Sequence, residues 1–478
     1  MCNIKIAVFG LLCLILAGCA VGPKYIRPST QIPTAYKESG AWSSNRTLAG
    51  AWKIAQPQDE IIRGEWWKIF NDPQLDALET EVNISNQNIA QAQAQYAQAY
   101  ALVQAAKSSF FPILSTTGSY TRSHGASNTK EGKSASSDTL LSADVTWELD
   151  LWGKIRRTIE ANKANAQASR ADLENARLSA QAQLAQDYFQ LCSLDAQKKL
   201  LDDTQTIFQK FLVLTKNRYA SGVAAQSDVI QAQTQLEATQ AQEIDIGVQR
   251  SQLEHAIALL IGKPASDFSI PTLTQSSVVP SVPTGLPSQL LERRPDIAAA
   301  ERTVAAANAL IGVAESAYFP TLTLSASGSY GGSDLSRIFS SPNPLWSVGP
   351  ALAETIFDAG LRQAQTAQAK AVYDADVAAY RQAVLTAFEQ VEDNLAALRI
   401  LEQEYQVQDE AVKDAQKALE LETNQYKAGT VSALDVITSQ ATALTNEKTA
   451  VTLLGERMNA CVLLIQYLGG GWASESLK

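Results

Sequence analysis

The feature that most limits how this chain can fold is an internal echo. Arg218 to Gln233, RYASGVAAQSDVIQAQ, returns as Gln425 to Gln440, QYKAGTVSALDVITSQ, with no gap and a constant offset of 207. Tyr219 matches Tyr426, Gly222 matches Gly429, and Asp228-Val229-Ile230 matches Asp435-Val436-Ile437. Ala and Gln match cheaply, but Tyr, Gly and Asp do not. Each copy is a short Gly-containing break between two long Ala/Gln-rich runs, which reads as the tip of a helical hairpin.

The echo extends beyond the tips. Ala106 to Pro112, AKSSFFP, matches Ala314 to Pro320, AESAYFP, and each is followed by a Ser/Thr-rich stretch ending in Gly-Ser-Tyr. Leu259 to Gly262 occupies the place of Gln466 to Gly469. The chain is therefore one body built twice. Residues 74–264 form the first repeat, 265–295 a Pro-rich linker running outside the body, and 296–470 the second repeat, with a tail at 471–478. Each repeat reads helix, strand, strand, long helix, tip, helix.

The N-terminus sets the compartment. Lys5 precedes an apolar run from Ile6 to Leu16, the length of a signal-peptide core and too short for a membrane span. It ends in Leu16-Ala17-Gly18-Cys19, which looks like a bacterial lipobox. Residues 1–18 are then a signal peptide, and Cys19 is the lipid-bearing first residue of the mature chain. An ordinary cleaved signal beside an unrelated Cys is the alternative. Ala20 in place of Asp resembles sorting to the outer membrane. Residues 19–73 are rich in Pro, with Trp and Ile placed without a period, and read as an extended arm. Asp72 and Pro73 suit the N-cap and first position of the helix that follows, with a break expected near Asn83 to Asn88.

From Leu141 to Leu149 apolar and polar residues alternate strictly, and Leu322 to Tyr330 repeats the pattern; 113–123 and 345–356 are weaker versions. The links at 124–138 and 331–344 are rich in Gly, Ser and charge. A barrel with a wet lumen leaves such a pattern, as does a soluble sheet packed on one face. The lipobox, Trp147 and Trp346 favour the membrane. Helices from about Lys154 to Arg218 and Arg362 to Gln425 are each on the order of 100 Å long at a rise of about 1.5 Å per residue. Leu173, Ala176, Ala180, Leu184, Leu191, Leu194, Leu201 and Phe208 mark a coiled-coil seam. The fold class is thus mainly α with a β-barrel contribution, four strands per chain. Four strands cannot close a membrane barrel, so oligomerisation is demanded.

A net charge of −10 without a basic patch argues against nucleic acid. The two His residues, His124 and His255, stand apart, and no Gly-x-Ser-x-Gly, Cys-x-x-Cys or phosphate loop occurs. No enzyme, metal site or cofactor is expected beyond the lipid on Cys19. Cys192 and Cys461, in opposite repeats, read as packed thiols rather than a disulfide.

At this point the sequence resembles the outer-membrane factors of tripartite efflux pumps, a TolC-like superfamily, and looks closest to their NodT-type lipoprotein branch. The residues that carry the likeness are Cys19 to Tyr25 with Arg27-Pro28, and Trp66-Trp67 with Phe70, Asp72-Pro73, Leu75 and Leu78. The most specific block runs from Leu291 to Ile297 through Glu301, Asn308 and Gly312 to Phe319-Pro320. The resemblance implies a homotrimer sharing a twelve-stranded barrel and a helical periplasmic tunnel. It also implies passive export of small molecules and a periplasmic adaptor and inner-membrane pump as partners. A coiled-coil lipoprotein without a pore, or a duct for polypeptide or metal ions, are the alternatives.

Site residues follow from the same resemblance. The tips, with Arg218, Gly222, Ala428 and Gly429, would meet the adaptor, and both Gly would turn tightly with positive φ. Asp435 would line a cation-selective constriction and Asp228 would take part in links that hold the closed state, with Tyr219 and Tyr426 as donors in reach. Helix capping is the alternative role for both Asp. Val431 and Thr438 depart from relatives that carry a linking Arg and a second ring Asp there.

Overall fold

The computed structural model describes residues 20–38, 64–125, 134–273, 278–280, 282, 293–332 and 344–470. Cys19, the signal segment and the tail at 471–478 lie outside the described residues. The elements are α1 (Pro73–Ser85), α2 (Gln87–Ser108), β1 (Ile113–Gly125), β2 (Ser134–Leu149), α3 (Lys154–Ala220), α4 (Gln226–Leu260), α5 (Pro295–Ser316), β3 (Thr321–Gly332), β4 (Pro344–Ala353), α6 (Leu361–Ala428) and α7 (Ala433–Tyr467). The order from α2 through β1 and β2 to α4 returns as α5 through β3 and β4 to α7. The chain falls into two compact units, each drawing on both repeats.

One unit holds the arm to Ser29 with Gln95–Arg170 and Ala299–Arg381. Its centre is an antiparallel sheet in the order β1-β2-β3-β4. Register decides its chemistry. Leu114, Val145, Ala326 and Val348 stand side by side across all four strands, and Leu149, Leu322 and Leu352 share that face. The opposite face carries the row Ser115, Asp144, Ser327 and Ser347. There Ser142 donates to Asp144 at 3.1 Å, and Ser327 bonds Ser347 at 2.8 Å. The apolar face is bare: Trp346 is 77% exposed and Leu352 70%.

The strands run further than alternation predicted. Where links were expected at 124–138 and 331–344, β1 continues to Gly125, β2 begins at Ser134 and β3 reaches Gly332, while β4 stops at Ala353 rather than 356. Ladder hydrogen bonds join backbones, so a Ser-rich strand with no apolar face pairs as well as an alternating one.

The arm lies along its neighbours, as its composition suggests. Val21 donates to the Trp152 carbonyl at 3.0 Å, and Arg157 donates to the carbonyls of Val21 and Gly22. Gly22, at φ +99°, sits so close to Gly312 that a Cβ would come within 2.4 Å of the Gly312 Cα. Asn308 donates to the Pro23 carbonyl at 3.1 Å and Tyr25 to Glu301. Two sequence blocks nearly three hundred residues apart are thus docked on each other.

The other unit holds Thr30–Ala94, Ala171–Ala298 and the residues from Gln382 on. Asp72 caps α1, accepting from Gln74 and Leu75 at 2.9 and 3.2 Å, with Pro73 at N1. The helix breaks at Asn86, whose side chain accepts from Asn88 and Ile89 and so starts α2. Trp66, 1% exposed, lies in a 3-10 turn that ends the arm. On α1 the buried stripe is Leu75, Leu78, Glu79 and Val82. Both Glu79 carboxylate oxygens lack a hydrogen-bond partner among the described residues. Burial, with the charge of Asp76, pushes its carboxyl well above the usual range.

The expected seam packs: Leu184 and Leu191 are fully buried and Leu201 nearly so. Cys192 and Cys461 are free and buried, and burial pushes both thiols up to about 12. The described part of the linker is no free loop. Ile270 donates to Glu254 and Leu273 to Asp195, and both residues are buried, because two apolar side chains hold it against α3 and α4. Pro295–Ser316 is apolar enough to cross a bilayer, yet 67% of that stretch is buried within the chain, as befits a core helix.

Candidate functional site: the paired hairpin tips

The two tips share one backbone solution. After α3, Gly222 donates to the Tyr219 carbonyl at 2.9 Å and Val223 to the Arg218 carbonyl at 2.9 Å. After α6, Gly429 donates to Tyr426 and Thr430 to Gln425, each at 3.0 Å. This is the Schellman turn, with Gly in the left-handed position, at φ +74° and +80°. A side chain is strained at that φ, so the two Gly matched across the repeats are required by the turn.

The Asp residues follow at the third position of each return helix. Asp435 accepts from the Ser432 N–H at 2.9 Å and from its hydroxyl at 2.8 Å, while Ser432 Oγ accepts from the Asp435 N–H. That is a capping box. These bonds hold the Asp435 carboxyl below the usual range. Asp228 makes half of the same device, accepting from the Ala225 N–H at 3.2 Å; Ala225 has no oxygen to answer with. Both Asp therefore cap. Asp435 remains exposed and Asp228 half-buried, so capping leaves their charges on the surface.

Between the tips lies a cluster in which Phe208, Phe211, Leu212 and Leu236 of the first hairpin meet Tyr426, Val436 and Ile437 of the second. Val431 packs against it, so the position where an Arg was looked for serves the apolar contact here. Tyr426 is 2% exposed, its ring 5.3 Å from Phe211. Its hydroxyl donates to Thr215 at 3.4 Å. Tyr219 is exposed. The Arg218 guanidinium lies over the Tyr426 ring, 4.5 Å from its centroid, and donates to the Tyr426 carbonyl. Gly222 and Ala428 are exposed at the turns. Sequence reasoning placed Arg218 at the tip but missed this clasp. The available signal was a broken echo: Gln425 stands where Arg218 should recur.

The family described as outer membrane efflux protein matches residues 80–263 and 286–470 of this chain. The chain belongs to the outer membrane efflux protein family. This efflux protein is 30% identical to the pyoverdine export outer membrane protein OpmQ of Pseudomonas aeruginosa, over 97% of this chain and 96% of that protein. It is 29% identical to nodulation protein T of Rhizobium leguminosarum bv. trifolii, over 96% of each. Its fold superposes on the outer-membrane channel OprN with a TM-score of 0.86 at 29% identity, covering 95% of this chain and all of that one. The efflux protein is thus an outer-membrane protein of mainly helical fold with a four-stranded antiparallel sheet.

Proposed function

We propose that this efflux protein is a homotrimer whose three sheets close one twelve-stranded transmembrane barrel, continued by its helices as a periplasmic tunnel. It then acts as the passive exit duct of a tripartite pump for small molecules. The observation that carries the reading is a four-stranded sheet whose two edges pair with no other strand among the described residues, and whose apolar face is bare. In hydrocarbon each unpaired backbone group on β1 and β4 costs several kcal/mol. Copies of the chain that pair β1 with β4 remove both edges at once. The apolar rows then face lipid, and the row of Ser115, Asp144, Ser327 and Ser347 faces a wet lumen. The likeness to a protein named for pyoverdine export supports an export role.

Purified protein should run as a heat-modifiable trimer on gels and give single-channel conductance in planar bilayers. A monomer in mild detergent with no conductance refutes the duct.

Three finer assignments belong to this reading. The tips, with Arg218, Gly222, Ala428 and Gly429, seat the helical hairpins of a periplasmic adaptor that couples an inner-membrane pump. Asp435, with Asp228, forms rings of carboxylates where three chains converge, and these rings favour cations. Cys19 carries the lipid, which intact-mass analysis of the mature protein reads directly.

A further inference from the structure

A cleft of about 390 Å³ opens in the unit that holds the sheet. Its lining is amphipathic. Arg156 and Lys163 of α3 and Arg302 of α5 bring three cations to it, against the single carboxylate of Glu160. Glu160 is already neutralised by Arg157 at 2.9 Å. Arg156 pairs with Asp150 and Arg302 with Glu301, but their side chains stay 40% and 30% exposed. Lys163 is exposed and has no ion pair among the described residues. The cleft therefore keeps one uncompensated positive charge, that of Lys163, beside two ion-paired but accessible guanidinium groups, in a chain that is acidic overall. Tyr25, Phe110 and Ile159 supply an apolar wall beside it.

Its place in the fold says what it meets. Phe110 lies just upstream of β1, which begins at Ile113, and Arg156 follows the end of β2, which pairs with the start of β1. The same end of the sheet carries an aromatic band. Trp147 donates to the Phe110 carbonyl at 2.9 Å, Trp152 donates to the Pro320 carbonyl at 2.8 Å, and Trp152 stacks on Phe319 at 4.7 Å. Aromatic bands of this kind mark the headgroup level of a membrane barrel. Basic pockets at that level take anionic lipid headgroups.

We propose that the cleft lined by Tyr25, Phe110, Arg156, Lys163 and Arg302 binds the headgroup of an anionic phospholipid in the leaflet facing the helices. The phosphate meets the three cations, and the glycerol end lies along Phe110 and Ile159. A free phosphate would have no use for the apolar wall. The neutral diacylglyceryl group of a lipidated Cys19 would have none for the cations. The inference rests on the sheet being the membrane-inserted part.

The test is native mass spectrometry of the full-length protein in mild detergent, titrated with phosphatidylglycerol or phosphatidylcholine. Phosphatidylglycerol should be retained in preference. Lys163→Ala should weaken its retention about fivefold, as for the loss of one basic side chain near a lipid surface, and leave phosphatidylcholine unchanged. Equal retention of the two lipids overturns the site, as does a Lys163→Ala protein that keeps phosphatidylglycerol fully. Full displacement of phosphatidylglycerol by millimolar inorganic phosphate reassigns the cleft to a free anion. A lipid signal lost in Cys19→Ser reassigns it to the protein's own anchor. Conductance of the wild-type protein is recorded in parallel, so absence of a lipid preference and absence of a pore are read apart.

Discussion

Arg218 at the end of the first long helix lies across the ring of Tyr426 at the end of the second, 4.5 Å from its centroid, and hydrogen-bonds the Tyr426 carbonyl. The contact joins the two hairpin tips of one chain over an apolar cluster. A half-buried cation–π contact of this kind contributes about 0.5–2 kcal/mol. Arg218→Ala should therefore loosen the tips. The expected outcome is a several-fold rise in resting conductance in planar bilayers, with trimer and barrel intact. Conductance equal to wild type would show that the clasp does not hold the tunnel shut.

Gly222 and Gly429 occupy left-handed backbone at which a side chain costs roughly 1–2 kcal/mol. A Cβ at Gly222 meets nothing within 4 Å, and one at Gly429 meets only the Arg218 side chain. The double variant Gly222→Leu, Gly429→Leu should thus still fold and trimerise, with a melting temperature lowered by the strain at both turns. It should nevertheless lose cross-linking to the adaptor and all pump function. Normal cross-linking in that variant refutes the docking assignment.

Asp435 serves a cap and, in the proposal, a ring, and one substitution parts the two roles. Asp435→Asn removes the charge and keeps a side-chain acceptor for Ser432. Cation preference should fall while the melting temperature holds. Ser432 holds the carboxyl below the usual range within one chain, so the wild-type preference should be present at neutral pH and lost on acidification. Ser432→Ala should do the reverse, lowering the melting temperature while sparing selectivity. Unchanged ion selectivity in Asp435→Asn leaves the residue a cap only.

Glu79 sets a pH dependence of opposite sign. Burial raises its folded pKa above the unfolded one, so its protonated form fits the fold. That stability is complete below the ordinary carboxylate range and is lost as pH rises toward the folded value, at about 1.4 kcal/mol per unit. Glu79→Gln should flatten the decline in melting temperature from acidic to mildly alkaline pH. A variant with the wild-type slope shows that the carboxyl is satisfied in solution.

Gly22→Ala should free the arm. The added Cβ would strike the Gly312 Cα at 2.4 Å, with φ at +99° as a further penalty. Faster proteolysis between residues 20 and 38, with the helices still protected, is the expected readout.

Much of this architecture is legible in the sequence because it repeats. Two Gly turns, two Asp at the same distance beyond them and two alternating strand pairs each confirm the other. Asn86 and Pro73 announce a break and a start in local chemistry alone. Strand length was not legible, because Ser134 and its neighbours pair through backbone and leave no apolar period. The Arg218–Tyr426 clasp was not legible either, since its partners are about two hundred residues apart and no local rule joins them. Glu79 was legible in principle: it falls on the stripe of Leu75, Leu78 and Val82.

The clasp has a counterpart that is missing. Gln425 stands at the position equivalent to Arg218, so the two halves of the chain are copies in backbone but not in grip. Around a closed ring of three such chains, six tips would show sixfold geometry and only threefold chemistry. Seams bridged by an arginine would alternate with seams that lack one. A partner arriving with identical prongs would meet rigid and yielding seats in turn, and the tunnel would part first at the seams that no arginine bridges while the bridged ones still hold.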